Sequence, residues 1–280
     1  MLIAVGQLTS TADLLVNGKA AATLARNAAA RGARILFLPE ASDYISKNTA
    51  HSLEIVKDVQ NSPFIKTLQS TLNSLNEAGT PIDVLVGIHE PTIPPSNRVK
   101  NTALYLNSNG SINYRYQKLH LFDVDLPTGP IFRESDSVEP GSKPPQIIDT
   151  PAGKLGVGIC YDLRFPEHAL YNVKNGAQLL VYPSAWTRPT GPHFNKLGAA
   201  TAIFTQCYVI LPAQTGIHKD ANNRESWGHA AVYDPWGEEI ALCSDTDSLA
   251  FAEIDLNHLT KVRNKMPLNS QRRNDIFSSN

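Results

Sequence analysis

Three residue types that together can cleave an amide bond occur at the ends of predicted strands. Glu40 and Cys160 each follow an apolar run, and Lys118 follows residues 114–117. Ligands of open α/β sheets bind beyond the carboxyl ends of the strands, where these side chains would meet. A thiol can attack the amide carbon, a carboxylate can take and return its proton, and an ammonium group can stabilise the negative oxygen. The set predicts hydrolysis of a carbon–nitrogen bond through a thioester, with no metal and no cofactor.

Cys160 is the residue whose surroundings most favour a nucleophile. Pro166 is typical of the first turn of a helix, and a thiol near a helix N-terminus is shifted towards the thiolate. The backbone N–H of Tyr161 then lies where an oxyanion donor is usual. Most free cysteines are small buried hydrophobes, and a single Glu or Lys is normally solvated. The hypothesis therefore depends on all three residue types occurring together.

Three other kinds of site would use some of the same residues. A Cys–His hydrolase would take its base from His120, His193 or His229, which lie near the sequence motifs. A phosphatase loop fails on spacing, because Cys160 and Arg164 leave too few backbone N–H groups between them to surround a phosphate. A metal hydrolase would need a His-Glu-x-x-His motif or a cluster of His and Asp. The Cys–His hydrolase stays open as an alternative.

The composition excludes several classes of protein. The chain has 280 residues, and its 25 Lys and Arg balance 26 Asp and Glu to give a net charge of -1. It therefore has no broad basic face for nucleic acid. Its 42% hydrophobic residues are enough for a folded core. No apolar run approaches the roughly 20 residues that cross a bilayer, so we expect neither a nucleic-acid nor a membrane partner.

Cysteine usage and the first residues indicate a cytoplasmic protein. Cys160, Cys207 and Cys243 are an odd number and contain no C-x-x-C pair. This pattern argues against both a disulfide framework and a thiolate zinc site. Residues 1–7 lack the basic start of a signal peptide and the Arg- and Ser-rich character of a transit peptide, and they predict a first strand.

Strand-like and helix-like patterns alternate along the chain and would position the candidate residues. Residues 122–145 are rich in proline and predict a long loop that acts as a lid or a subunit contact. No linker, repeat or shift in composition divides the chain, so we expect one α/β domain over residues 1–280. The predicted helices are 12–31, 63–77, 165–174 and 193–206, and the predicted strands are 2–8, 34–38, 83–89, 101–106, 111–116, 147–149, 154–159, 179–182, 208–213, 230–233 and 240–243.

Three segments resemble the signature motifs of the nitrilase superfamily of carbon–nitrogen hydrolases. They are LPE at residues 38–40, YQKLHLFD at 116–123 and GICYDLRFPE at 158–167. The resemblance covers essentially the whole chain. It implies an α/β fold, a four-layer αββα sandwich, in a subunit that assembles as a homodimer.

The same resemblance implies roles for individual residues. A Glu-Lys-Cys triad falls on Glu40, Lys118 and Cys160, and a second glutamate that helps to position substrate and water falls on Glu134. No cofactor is implied. Contacts to the substrate are expected from Arg164, Ser184, Trp186 and Thr187, with Arg188 and Arg224 as further candidates for pairing a carboxylate.

Three further segments narrow the resemblance to the Nit branch, in particular to the fungal deaminated glutathione amidases. They are residues 160–167, 224–229 and 263–267. That branch hydrolyses the amide of an α-keto-glutaramyl group and releases α-ketoglutarate, so the implied partner is a small anionic amide. An ω-amidase that acts on α-ketoglutaramate is the alternative within the same chemistry.

One helix departs from the family pattern. After His193 the family usually reads His-Trp-x-x-Leu-x-Arg-x-Arg-Ala-x-Glu, whereas residues 193–204 read HFNKLGAATAIF. Two arginines and a glutamate are therefore missing from a helix that backs the active site in the family. This departure keeps a second hypothesis open, a pseudoenzyme whose fold serves as a binding or assembly partner.

Overall fold

Short strands and helices alternate along the chain, as the sequence pattern predicts. The computed structural model describes residues 1–94, 96–125, 131–245 and 248–277. The helices are α1 (Leu14–Ala30), α2 (Thr49–Ile55), α3 (Pro63–Glu77), α4 (Pro166–Lys174), α5 (Gly191–Thr205), α6 (Leu256–Lys265) and α7 (Leu268–Gln271). The strands are β1 (Leu2–Leu8), β2 (Ile35–Phe37), β3 (Asp83–Pro91), β4 (Val99–Leu106), β5 (Ile112–Gln117), β6 (Asp123–Asp125), β7 (Ile131–Arg133), β8 (Val138–Glu139), β9 (Ile148–Thr150), β10 (Gly153–Val157), β11 (Leu179–Val181), β12 (Tyr208–Leu211), β13 (Ala213–His218), β14 (Arg224–Trp227), β15 (Ala231–Tyr233), β16 (Glu239–Leu242) and β17 (Leu249–Glu253).

Local sequence sets where the first long helices begin. The Asp13 carboxylate accepts hydrogen bonds from the N–H groups of Leu15 and Val16 and so caps α1. Ser62 caps α3, and Pro63 occupies the first turn, where its missing N–H is not needed. The two helices then pack against each other along the larger sheet.

Most strands of the described chain belong to two sheets. The larger sheet has nine strands, in the order β14-β13-β1-β2-β3-β4-β5, with β17 paired to β1 and β8 paired to β4. The smaller has six strands, in the order β16-β15-β12-β11-β10-β9. Strands β1, β2 and β3 are parallel, as are β10, β11 and β12, so each sheet has a parallel centre whose carboxyl ends can form a site.

The pleat of each strand decides which layer its side chains enter. In β2, Ile35 and Phe37 enter the core between the sheets, whereas Leu36 enters the core beneath α1 and α3. Helices α4 and α5 pack on the smaller sheet, against β10 and β12 respectively. The order helix, sheet, sheet, helix confirms the αββα sandwich.

Some elements differ from the sequence prediction. Residues 122–145 are not one continuous loop, because β6, β7, β8 and a helical turn at Glu134–Asp136 lie within them. Residues 126–130 of that stretch lie outside the described chain. Helices α2, α6 and α7 and strands β13, β14 and β17 were not predicted. These are short elements. Strands β13 and β17 pair with the distant β1, and β14 pairs with β13, so none of them depends on a strong local pattern alone.

The three cysteines are free thiols, and all are buried. Among the described residues, no helix has the length and apolar character to span a membrane.

Candidate active site

Four predicted site residues line one cavity beyond the strand ends. Glu40 follows β2, Lys118 follows β5, Cys160 follows β10, and Glu134 begins the helical turn after β7. The cavity has a volume of about 290 Å³ and contains all four side chains in its wall. The structure brings Glu40, Lys118 and Cys160 together at strand ends, as the sequence predicts, and it places Glu134, which the resemblance alone implied, beside them. Tyr161, predicted as an oxyanion donor, also lines the cavity.

Lys118 holds the two glutamates in place. Its Nζ donates hydrogen bonds to Glu40 Oε1 at 2.9 Å and to both carboxylate oxygens of Glu134 at 3.0 and 2.9 Å. Asn101 donates to Glu40 Oε1 at 2.7 Å and to Glu134 Oε1 at 3.3 Å. The Lys118 side chain is only 2% exposed. One buried cation therefore fixes two carboxylates beside the thiol.

Cys160 lies in a backbone conformation that aims its side chain into the cavity. Its φ angle is 47°, in the left-handed region that non-glycine residues rarely adopt. Its N–H donates to the carbonyl oxygen of Pro183 at 2.9 Å, which holds this turn against the neighbouring strand end. The thiol shares the cavity wall with the Glu40 carboxylate, whose negative charge acts on it. The backbone N–H of Tyr161 has no acceptor among the described residues and is available to an oxyanion.

Burial and neighbouring charges separate the pKa values of the thiol and its base. Burial raises the pKa of Cys160, the Glu40 charge raises it further, and the nearby Lys118 does not offset the two. Burial would also raise the pKa of Glu40, but the charge of Lys118 and the hydrogen bonds from Lys118 and Asn101 hold it below its ordinary value. Burial would lower the pKa of Lys118, but Glu134 and Glu40 hold it well above. The resting site therefore holds a neutral thiol, a carboxylate and an ammonium ion.

Asp162 joins the turn of Cys160 to the loop after β5. Its carboxylate accepts hydrogen bonds from Ile159 N–H at 2.8 Å, Tyr116 Oη at 2.8 Å and His120 N–H at 3.0 Å. The Nδ1 atom of His120 lies 2.7 Å from the same carboxylate. Asp162 is fully buried. It positions both the nucleophile and the segment that carries the lysine.

The backbone of Glu40 is fixed from two sides. Gln214 Nε2 donates to the carbonyl oxygens of Glu40 and Ala41, both at 3.0 Å, and Ala41 has a φ of 53°. On the other side, a Cβ atom at Gly87 would lie 2.5 Å from Glu40 Cα. Only glycine lets β3 come this close to the base.

The predicted substrate contacts divide into two groups. Trp186 and Thr187 line the cavity. Arg164 and Ser184 are not part of its wall in the described chain, so direct contact with a substrate there does not follow for them. The Arg164 guanidinium lies 4.5 Å from the centroid of the Trp186 ring, and the Ser184 hydroxyl donates to the carbonyl oxygen of Tyr182 at 2.7 Å. Both support the wall from behind, because their polar groups are already directed elsewhere.

Two other arginines line the cavity. Arg133 is paired with Asp125 at 2.7 Å, whereas Arg224 has no carboxylate partner among the described residues. Arg188, another candidate, pairs with Glu225 at 2.8 Å and lies outside the wall of the described cavity. Arg224 is therefore the cation best placed for an anionic substrate.

The histidines named for a Cys–His hydrolase do not line the described cavity. His120 is bonded to Asp162, and the Nδ1 atom of His229 lies 2.9 Å from the carbonyl oxygen of Trp227. The carboxylate nearest in effect to the thiol is Glu40, which lines the same cavity. Among the described residues, no group of three His, Cys, Asp or Glu side chains is arranged to hold a metal ion.

The helix that departs from the family pattern lies outside the cavity wall. α5 packs against β12 and β15, and a Cβ atom at Gly198 would approach Leu211 Cδ1 to 2.5 Å. None of its described residues lines the cavity. The positions of the missing arginines and glutamate, now Ala199, Thr201 and Phe204, therefore do not change the groups that face a substrate.

Sequence reasoning missed Asn101, Asp162 and Gln214. Asp162 lies inside a motif that was recognised, so its position was a usable signal. The other two act through contacts between distant strands, and nothing in their local sequence indicates such contacts.

Comparison with known proteins decides the family. The carbon–nitrogen hydrolase family matches residues 2–264. The chain belongs to this family. It is therefore a hydrolase of carbon–nitrogen bonds other than peptide bonds. Human deaminated glutathione amidase is 40% identical over 99% of this chain and 84% of its own length.

Two further relatives agree with this assignment. The omega-amidase of Danio rerio is 35% identical over 93% of this chain and 90% of its own length. The crystal structure of the Caenorhabditis elegans NitFhit protein superposes with a TM-score of 0.89 at 38% identity, and it covers 99% of this chain and 66% of that protein.

Proposed function

We propose that this carbon–nitrogen hydrolase is an amidase for deaminated glutathione, cleaving the amide of its α-keto-glutaramyl group through a Cys160 thioester. The observation that carries the proposal is the placement of buried Cys160, Glu40 and Lys118 in the wall of one cavity, where Lys118 Nζ donates to Glu40 Oε1 at 2.9 Å. The name of the human relative supports the choice of substrate.

The first half of the reaction forms the thioester. Glu40 takes the proton from Cys160 as sulfur attacks the amide carbon, which forms the S–C bond and moves an electron pair onto oxygen. Lys118 and the backbone N–H of Tyr161 stabilise that oxyanion. Glu40 then gives its proton to the nitrogen as the C–N bond breaks, and the amine leaves.

The second half returns the enzyme to its resting state. Glu40 takes a proton from water while the water oxygen attacks the thioester carbon. The S–C bond then breaks, the thiolate of Cys160 regains the proton, and α-ketoglutarate leaves. Glu134, held by Lys118 and by the N–H of Phe122 at 2.6 Å, positions the water and the substrate.

The anionic end of the substrate is held by the wall formed by Trp186, Thr187 and Arg224. Arg224 offers a guanidinium that can pair a carboxylate in two places. Arg164 contributes indirectly, through its contact with the Trp186 ring.

Release of α-ketoglutarate from deaminated glutathione, with Cys160→Ala beside the wild type, tests the proposal. We expect release by the wild type and none above background by the variant. Release that does not need Cys160, or no release from any α-keto-glutaramyl amide by folded wild type, would overturn it. The second outcome would favour a pseudoenzyme that acts as a binding or assembly partner.

An ω-amidase acting on α-ketoglutaramate is the second candidate. The Danio rerio relative carries that name, and its substrate would have the same acyl group but ammonia in place of a larger amine. The ratio of kcat/KM for the two amides chooses between them.

We also propose the context in which the enzyme works. One carbon–nitrogen hydrolase domain over residues 1–280 forms a homodimer in the cytoplasm and uses no cofactor. The three free buried thiols are consistent with a reducing compartment.

A further inference from the structure

One wall of the cavity consists of polar side chains, which carry no formal charge when His89 is neutral. It is formed by the segment after Glu40 and by the end of β3, and we name it the polar wall. Its residues are Ser46, Asn48, Thr49, Ser52 and His89. The proposed mechanism uses none of them.

His89 is the most firmly held residue of the polar wall. Its Nδ1 lies 3.0 Å from Asp43 Oδ1, and its backbone N–H donates to Asp43 Oδ2 at 2.9 Å. Its ring stacks on Tyr44 with 4.4 Å between centroids. Because the Asp43 carboxylate can only accept, the neutral ring carries its proton on Nδ1 and leaves Nε2 as an acceptor. No described residue donates to Nε2.

The position of the polar wall relative to Glu40 decides which half of a substrate it meets. His89 and Asn101 are directly paired across β3 and β4, so their Cβ atoms lie about 5 Å apart on one face. Asn101 donates to the Glu40 carboxylate. Glu40 protonates the departing nitrogen, so the group attached to that nitrogen leaves through the space beside Glu40.

We propose that the polar wall is a subsite for a peptide-like leaving group, with His89 Nε2 accepting a hydrogen bond from its amide N–H. This inference rests on the proposed function and makes the substrate a substituted amide rather than a primary one. The hydroxyl groups of Ser46 and Thr49 have no partner among the described residues and are free to donate to a peptide carbonyl.

Two amides with the same acyl group separate the subsite from the rest of the reaction. Deaminated glutathione has a dipeptide on its nitrogen, and α-ketoglutaramate has none. We expect His89→Phe, which keeps a stacking ring but removes Nε2, to lower kcat/KM for deaminated glutathione about tenfold through KM. The same variant should leave kcat/KM for α-ketoglutaramate within about twofold. An equal loss with both amides, or no loss with deaminated glutathione, would overturn the subsite.

A matched pair outside the cavity controls for loss of a histidine–aspartate contact. His258 Nε2 lies 2.9 Å from Asp234 Oδ2, and neither residue lines the described cavity. His258→Phe should leave the ratio of the two kcat/KM values unchanged. If His89→Phe does not fold, Thr49→Val replaces it, since it removes one hydroxyl at similar volume. A selective loss with deaminated glutathione is again expected, and an unchanged ratio overturns the proposal.

Direct binding separates failure of the subsite from failure of the proposed function. If the wild type releases α-ketoglutarate from neither amide, the proposed function fails, and calorimetric titration with the dipeptide Cys-Gly still tests the subsite. Binding to the wild type that weakens about tenfold in His89→Phe supports the subsite. No binding, or equal binding to both proteins, overturns it.

Discussion

At the scale of single residues, the site keeps the reactive proton on sulfur until a substrate arrives. Burial and the Glu40 charge raise the pKa of Cys160, while Lys118 and two hydrogen bonds hold the pKa of Glu40 low. The thiolate therefore forms only as the sulfur attacks the substrate. At that moment the positive charge of Lys118 stabilises the new oxyanion. The same arrangement makes the reaction depend on a carboxylate at position 40.

Glu40→Gln should lower kcat by about 10²–10⁴-fold, because Gln keeps the shape of the side chain but cannot accept the thiol proton. Steady-state release of α-ketoglutarate measures the loss. His193→Gln is the control and should stay within about twofold, since His193 lies outside the wall of the described cavity. Substantial activity in Glu40→Gln together with loss in a histidine variant would favour the Cys–His alternative.

Asp162→Asn should lower the free energy of unfolding by about 2–3 kcal/mol, because the new amide group faces N–H and O–H donors that need an acceptor. Urea denaturation at neutral pH measures this change. Asp149→Asn removes an exposed carboxylate that is paired with Lys154, and it should change the free energy by less than about 0.5 kcal/mol. Equal effects of the two substitutions would show that the contacts of Asp162 contribute little.

The contribution of the Asp162 carboxylate to the free energy of unfolding should also depend on pH. Burial alone would raise the pKa of Asp162, but hydrogen bonds from His120, Ile159 and Tyr116 hold it below the ordinary 3.8. As the pH falls, the Asp162 carboxylate is therefore protonated in the unfolded chain before it is protonated in the folded protein. Its contribution to the free energy of unfolding is present above about pH 4 and is lost as the pH falls through the folded-state pKa. The difference in unfolding free energy between wild type and Asp162→Asn should shrink on acidification. A constant difference down to about pH 3 would contradict this expectation.

At the scale of elements, the close approach of β3 to the segment after β2 fixes the base. Gly87→Ala places a Cβ atom 2.5 Å from Glu40 Cα and 2.9 Å from the Pro39 carbonyl oxygen, so backbone must move. We expect a fall in kcat of about tenfold or more, together with a loss of stability of about 1–3 kcal/mol. Kinetic assay and thermal denaturation measure the two effects.

Gly198→Ala is the matched control for Gly87→Ala. Its Cβ atom would also approach a neighbour to 2.5 Å, but that neighbour is Leu211 Cδ1, the end of a side chain in contact with α5. The control should lose stability and keep kcat within about twofold. Equal losses of kcat in the two variants would mean that crowding near Glu40 has no special effect on the base.

The elements also explain what the sequence could predict. Glu40, Lys118 and Cys160 could be expected to meet because each follows a predicted strand. The structure brings them together across two sheets, since Glu40 and Lys118 follow strands of the larger sheet and Cys160 follows β10 of the smaller one. Asn101 and Gln214 could not be found this way. The role of Asn101 depends on the register between β3 and β4, and that of Gln214 depends on the pairing of β13 with the distant β1. Arg164 and Ser184 were expected at the substrate because they lie near the motifs, but their side chains turn towards Trp186 and Tyr182.

At the scale of the whole molecule, we predict that exposed apolar side chains form the contact surface of the proposed homodimer. Ile203 on α5 and Trp236 are 54% and 52% exposed, and Gly237 beside the tryptophan packs against Ile203. Light scattering at micromolar concentration should give about twice the 30.6 kDa chain mass. Ile203→Glu should shift the protein to monomer, because it places a charge in the contact.

Ile217→Glu is the control for the dimer prediction. Ile217 is 52% exposed and lies on β13 rather than on α5, so its substitution should leave the mass unchanged. A wild-type monomer, or the same effect from both substitutions, would contradict the proposed contact.

The place of β1 has a consequence for how the chain acquires its structure on the ribosome. The first strand is completed on one edge by β13 and β17, which lie far later in the chain, and Gln214 from β13 holds Glu40. Pairing between such distant segments is slow to form, and an open strand edge attracts other chains. We expect chaperones to be needed to protect the nascent chain. We also expect the chain to have no activity until β13 and β17 have emerged from the ribosome.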